Sequence, residues 1–283
     1  MKIYTAPLEG ITGHVFRTAL YHHFGGADKY FIPFIRPNQN GNFSTREKQD
    51  IMPENNLNMY PVPQILTNKA EDFLQTAEKL EAYGYKEINL NLGCPSKTVI
   101  SKMRGSGFLA YPDEFVRLLD IYNKYQMKEL IIHPRVQKDF YKNHPNKDVF
   151  AEALKKSKNP ICYNGDIFTK NDYEEFRKEF PTVDCIMLGR GLLKNPGLIR
   201  EIKENKPVDK ISLRAFHDEL YAGYKEVLSG DKTILFKMKE LWSFLGPIFT
   251  NYEKYVKKIK KCEKLYKYDE AVEKLFQEQE LVN

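Results

Sequence analysis

Residues 160–191 read PICYNGDIFTKNDYEEFRKEFPTVDCIMLGRG, and this stretch decides the fold. Its first segment, Pro160–Asn164, and its last, Cys185–Gly189, are short apolar runs closing on glycine turns at Gly165 and Gly189. Asn171–Phe180 lies between them with the spacing of a helix. Unbroken apolar runs, as opposed to alternating ones, suit parallel strands covered on both faces. A strand–helix–strand succession places two such strands side by side.

The same pattern continues towards the N-terminus. Runs at Ile3–Leu8, Tyr30–Ile35, Pro61–Leu66, Glu87–Leu92 and Glu129–Pro134 bring the strands to seven. Helical segments such as Lys69–Tyr83 and Asp148–Ser157 separate them, the former with Ala70, Phe73, Leu74, Ala77, Leu80 and Ala82 along one side. Alternating β and α predicts an α/β fold, a TIM-type (β/α) barrel spanning residues 1–205, with its chemistry in the loops after the strands. From about Lys206 the strand signals stop. Ser212–Leu228, Thr233–Phe244 and Thr250–Leu281 read as helices, so residues 206–283 form a C-terminal α-helical domain. Ser212 is the expected cap of the first helix, and Asp231 or Thr233 of the second.

Composition narrows the class. With 283 residues, 42% hydrophobic and 29% charged, the chain can bury a sizeable core and is neither disordered nor a disulfide-stapled miniprotein. No apolar run approaches the ~18–20 residues of a membrane span, and the N-terminus lacks a signal-peptide core. Cys94, Cys162, Cys185 and Cys262 form no CxxC pair, which argues against a bound metal and for a reduced, cytoplasmic setting. The net charge of +6 is concentrated: residues 251–268 hold seven lysines against two glutamates, interleaved with Tyr252, Tyr255, Tyr266 and Tyr268. Lysines that displace counterions and rings that stack on bases suit RNA. A solvated amphipathic helix with half-buried tyrosines fits the same composition.

Four strand ends carry candidate chemistry. Ala6–Thr12, APLEGIT, is a strand-to-turn transition. In Asn89–Val99, NLNLGCPSKTV, Asn89 and Asn91 face the same side, where their amides could bond a planar ring bearing N–H and C=O groups. Gly93 then permits a sharp turn to Cys94, whose thiol suits a nucleophile, a proton donor or a buried structural role. Ile131–Arg135, IIHPR, puts His133 at a strand end. The last two strands end in YNGD and LGRG, where glycine turns expose N–H groups to a phosphate and Arg190 could add a contact.

The order APLEGIT, PQIL, NLNLGCPSKTV with a following GSG, IIHPR, NGDI and GRG resembles the tRNA-dihydrouridine synthase family over roughly residues 1–200. The resemblance implies an FMN-dependent barrel that reduces tRNA uridines, with NADPH recharging the flavin. It makes Cys94 the acid that protonates C5 of the uracil and Asn91 the residue that orients the ring, with Arg135 also on the substrate side. Gln64 and His133 match flavin-ring contacts, Pro7 and Leu8 would lie against the ring through their backbone, and Asn164, Gly165, Gly189 and Arg190 match the phosphate cradle. The basic tail then reads as a tRNA-docking surface. Neither a membrane nor an obligatory protein partner is implied. No GxGxxG fingerprint identifies the nicotinamide.

One feature departs from the family. Between the GSG turn and the histidine strand the family has a further strand, carrying a lysine beside the flavin. Here Ala110–Asp113 runs straight into a helix, Glu114–Tyr125, and then into Glu129–His133. Seven strands against the eight of a closed barrel predict one β/α unit too few. Lys97, Lys102 and Lys128 are nearby in sequence. This departure supports the alternatives of a catalytically impaired tRNA-binding relative or, on other grounds, a different FMN barrel acting on a free pyrimidine.

Overall fold

The computed structural model describes residues 1–38, 42–93, 118–135 and 144–282. Its strands are β1 (Lys2–Thr5), β2 (Lys29–Phe31), β3 (Pro61–Val62), β4 (Gln64–Ile65), β5 (Asn89–Leu90), β6 (Leu130–Ile132), β7 (Ile161–Asn164) and β8 (Cys185–Leu188). All pair in parallel, in the orders β3-β2-β1-β8-β7-β6 and β4-β5. The β1–β8 contact is the informative one. It sets the first strand against the last, Tyr4 opposite Met187, which is the closure a barrel requires.

β3 and β4 are halves of one run, because Pro63 between them has no N–H to give the ladder. Pairing resumes beyond it: Ile35 N–H donates to Gln64 O at 2.7 Å and Leu66 N–H to Ile35 O at 2.9 Å. The strands therefore follow one another in chain order, β1-β2-β3/β4-β5 on one side of the closure and β6-β7-β8 on the other. All seven expected strands are present, each shorter than its apolar run. Among the described residues, β5 has a strand neighbour only in β4, and β6 only in β7.

Two compact units emerge. The first comprises residues 1–9, 28–166 and 177–189, the second residues 10–27, 167–176 and 190–283. In the first, Tyr4, Ala6, Phe31, Val62, Cys162, Cys185 and Met187 make one buried cluster. Cys162 and Cys185 are register partners on adjacent strands and act as small apolar side chains, with burial pushing the Cys162 thiol well up. Helix α3 (Ala70–Ala82) packs through Leu80 on Ile32, Ile35 and Ile65, but Leu74, expected on the same side, is 60% exposed. Helices α2 (Thr45–Ile51) and α4 (Lys147–Lys156) belong to this unit too, capped by Ser44 and Asn146.

The N-terminal ends of the strands carry a charge network. Lys29 Nζ lies 2.5 Å from Glu87 Oε1 and 4.0 Å from Glu129 Oε2, and Tyr4 Oη donates to Glu129 Oε1 at 2.9 Å. Burial alone would raise the Glu87 carboxyl, but Lys128 and Lys29 outweigh it and hold it below its ordinary range. Burial is also the main cause holding the Tyr4 phenol above its own.

The second unit is helical: α1 (His14–His23), α6 (Arg190–Lys194), α7 (Leu198–Glu204), α8 (Lys210–Val227), α9 (Asp231–Leu245), α10 (Glu253–Lys261) and α11 (Leu265–Glu278); α5 (Lys170–Glu179) is shared by the two units. α1 packs on α8 through Phe16 and Phe216, edge to face at 5.8 Å. The caps differ from expectation. Asp209, not Ser212, caps α8, because its Oδ1 accepts from Ser212 N–H at 2.7 Å. Gly230 precedes α9, leaving Asp231 in the first turn, where its charge suits the helix dipole. The long expected helix from Thr250 is broken at Cys262–Lys264 into α10 and α11.

At the centre of this unit Trp242 Nε1–H donates to Tyr268 Oη at 2.8 Å, and Tyr268 Oη lies 2.6 Å from His217 Nε2. Asp218 Oδ1, 2.8 Å from His217 Nδ1, accepts the Nδ1 proton, which in the neutral ring leaves Nε2 to accept from the Tyr268 hydroxyl. Burial lowers the His217 pKa and so favours the neutral imidazole. No helix among the described residues is long and apolar enough to cross a membrane.

Candidate active site

Parallel strands in a continuous order end on one side, and the first unit gathers most of the expected residues there. Pro7 and Leu8 follow β1, Gln64 opens β4, Asn91 follows β5, His133 follows β6, Asn164 ends β7, and Gly165 and Gly189 follow β7 and β8. Arg190, next in the chain, begins α6 in the helical unit, where its guanidinium lies 5.3 Å from the Phe168 ring and Lys194 Nζ 4.1 Å from it.

The amides form a chain. Gln64 Nε2 donates to Asn89 Oδ1 at 2.6 Å, Asn91 Nδ2 donates to Gln64 Oε1 at 2.7 Å, and Gly93 N–H donates to Asn91 Oδ1 at 3.0 Å. The β4–β5 register, Gln64 opposite Asn89, brings them together. Asn89 and Asn91 do face the same side, as the period-two spacing predicts, and Gln64 sits between them. Cys94 begins the loop directly after Gly93. It lies outside the described residues, as do Lys97, Lys102 and the turn at 105–107.

His133 is exposed at its strand end, with its carbonyl accepting from Arg135 N–H at 2.8 Å. The Arg135 guanidinium pairs with the Asp166 carboxylate, and its side chain is only 6% exposed. The residue assigned to substrate therefore already holds a partner from the next loop. Asp166 was visible in the NGD turn, but nothing in one sequence pairs it with Arg135. A Cβ at Gly165 would overlap the hydroxyl of the buried Tyr163, so the glycine is required by its own neighbour. Three further charges escaped sequence reasoning: Glu9, in the loop after β1, lies 2.9 Å from Arg36 Nη2 and 3.6 Å from Arg46 Nη2. Lys128 pairs with Glu87 at the strands' N-terminal ends, away from the amides.

The basic tail divides cleanly. Tyr255, Val256 and Ile259 on α10 are buried, while Lys254, Lys257, Lys258, Lys260 and Lys261 are exposed. Tyr255 and Tyr268 are core residues, which corrects their reading as stacking rings; Tyr266 is 59% exposed.

Comparison with known proteins decides the family. The model for dihydrouridine synthase (Dus) matches residues 4–125 and 117–283. The chain belongs to the dihydrouridine synthase family. It is therefore an oxidoreductase, and its fold is the α/β barrel type with a helical C-terminal region. The two matched segments share residues 117–125. The chain is 26% identical over 242 residues to tRNA-dihydrouridine synthase B of Pasteurella multocida, covering 75% of this chain and 72% of the relative. A probable tRNA-dihydrouridine synthase of Staphylococcus aureus (strain COL) is 26% identical over 265 residues, 78% of this chain and 77% of the relative. Among solved structures, morphinone reductase in complex with tetrahydroNAD covers 76% of this chain and 90% of its own, at 11% identity and a TM-score of 0.45.

Proposed function

We propose that this protein reduces the C5=C6 bond of specific uridines in tRNA, with FMN as cofactor and NADPH as reductant. The observation that carries the reading is the amide chain Asn89–Gln64–Asn91, anchored by Gly93 N–H one residue before Cys94. Carboxamides in that arrangement match the alternating N–H and C=O edge of a pyrimidinedione, which both uracil and a flavin present. On this reading the donor set fits FMN, with Gln64 and His133 towards its ring, the backbone of Pro7 and Leu8 along it, and Asn164, Gly165, Gly189 and Arg190 towards its phosphate. When bound, FMN would supply a hydride to C6 of the uridine.

The chain's own residues do the rest. Asn91 orients the uracil. Cys94 delivers the proton to C5, a role suited to a thiol whose ordinary pKa of ~8.5 leaves it protonated at neutral pH. Arg135, its charge balanced by Asp166, stiffens the substrate side of the rim. Residues 206–283 dock the tRNA, with the lysines of α10 meeting phosphates. A cytoplasmic setting follows from the substrate.

The family and its tRNA-dihydrouridine synthases favour this reading over a non-catalytic relative. The test is incubation with FMN, NADPH and an unmodified tRNA transcript, with dihydrouridine measured by mass spectrometry. Product is expected with wild type and lost in Cys94→Ala. Reduction of free uracil in preference to tRNA, or no product once FMN is bound, would overturn the proposal.

A further inference from the structure

We propose that Asn89 is a positioning residue of this site, acting through Gln64. The proposal rests on the reading of Gln64 as a flavin contact and deepens it.

A carboxamide can lie either way round, and only its partners decide which end presents oxygen and which presents N–H. Here the decision begins at the backbone. Gly93 N–H can only donate, so the Asn91 atom 3.0 Å away must be the carbonyl oxygen. That turns the Asn91 NH2 towards Gln64, where the atom at 2.7 Å must be Oε1. The Gln64 NH2 then points at Asn89, and the chain ends on Asn89 Oδ1 at 2.6 Å. Flipping any one amide would set N–H against N–H or oxygen against oxygen.

Asn89 is the terminal acceptor, and without it the Gln64 amide is held at one end only. The neighbouring groups support this role. Gln64 is 8% exposed and confined by its strand, so the orientation of its amide is the remaining freedom. Asn89 is held by the β5 ladder, its N–H donating to Pro63 O at 2.9 Å. A fixed amide meets a planar ring without first losing rotational freedom, and preorganisation of this kind appears as affinity.

Two substitutions separate the role from simple packing. Asn89→Leu keeps the size and removes the acceptor; Asn89→Asp keeps an acceptor. In ligand-free protein, Asn89→Leu is expected to shift the Gln64 side-chain NH2 resonances and speed their exchange, while Asn89→Asp leaves them protected. In FMN titrations Asn89→Leu should weaken binding about tenfold, with Asn89→Asp close to wild type. Added to Gln64→Leu, Asn89→Leu should cost nothing more, because its effect passes through Gln64. Unchanged Gln64 resonances in Asn89→Leu, or an equal loss in the Gln64→Leu background, would overturn the inference. Wild-type protein that fails to bind FMN would instead sink the flavin reading, and the resonances would still decide whether Asn89 orients Gln64.

Discussion

Lys128 Nζ lies 2.6 Å from Glu87 Oε2, an ion pair joining the chain just before β6 to the chain just before β5. Those two strands are where the ring of hydrogen-bonded strands is interrupted among the described residues. The charge network links their N-terminal ends through Glu87 and Glu129.

The two lysines on Glu87 contribute unequally. Lys29 and Glu87 side chains are 11% and 12% exposed, so Glu87→Met leaves a buried ammonium with only the longer Glu129 contact at 4.0 Å and should cost up to about 3–5 kcal/mol in urea unfolding. Lys128 is 63% exposed, and Lys128→Met should cost under about 1 kcal/mol. Because the Glu87 pKa is lowered on folding, its contribution is present above the ordinary carboxylate range and lost as pH falls through its folded value. Equal losses for the two variants would show that the network is not organised around the Lys29–Glu87 pair.

His217 predicts acid sensitivity in the helical unit. Its folded pKa lies below the ordinary 6.5, so between those values the unfolded chain binds the extra proton. Stability should fall as pH drops from about 6.5 and level off below the folded pKa. Thermal unfolding of wild type against His217→Gln between pH 7 and 5 measures this; matching slopes in that interval would contradict it.

The exposed face of α10 predicts salt-dependent tRNA binding. Replacing Lys257, Lys258 and Lys261 by Gln should weaken affinity and lower the slope of log K against log salt by about 0.7–0.9 for each phosphate left without its lysine. Circular dichroism should be unaltered, since the packing face is Tyr255, Val256 and Ile259. An unchanged slope would move the tRNA surface elsewhere.

The two glycines of the expected phosphate cradle should behave differently. Gly165→Ala drives a Cβ into Tyr163 and should destabilise the fold by about 1–3 kcal/mol. A Cβ at Gly189 meets only Ala6 Cβ at 3.4 Å, so Gly189→Ala should remain folded and report on FMN binding alone. Flavin affinity unchanged in Gly189→Ala would remove that turn from the cradle.

The strands were legible because parallel, covered strands leave unbroken apolar runs, and the glycines at 165 and 189 marked two of their ends. Asn89 and Asn91 could be placed on one face by period two alone. Their tie to Gln64 could not, because it depends on the β4–β5 register across 25 residues of chain. Arg135–Asp166 and Lys128–Glu87 were hidden for the same reason: ion pairs distant in sequence leave no local pattern. The tail misled in part. Tyrosines spaced among lysines look alike whether they face RNA or core, and Tyr255 and Tyr268 took the core positions that the helical period of their neighbours assigns to them.

Everything proposed for the site depends on this barrel holding a flavin. Mass spectrometry of the cofactor on purified protein, before and after adding FMN and gel filtration, tests this most directly. FMN is expected to stay bound at close to one per chain once supplied. Protein that emerges folded and free of FMN after reconstitution would contradict it.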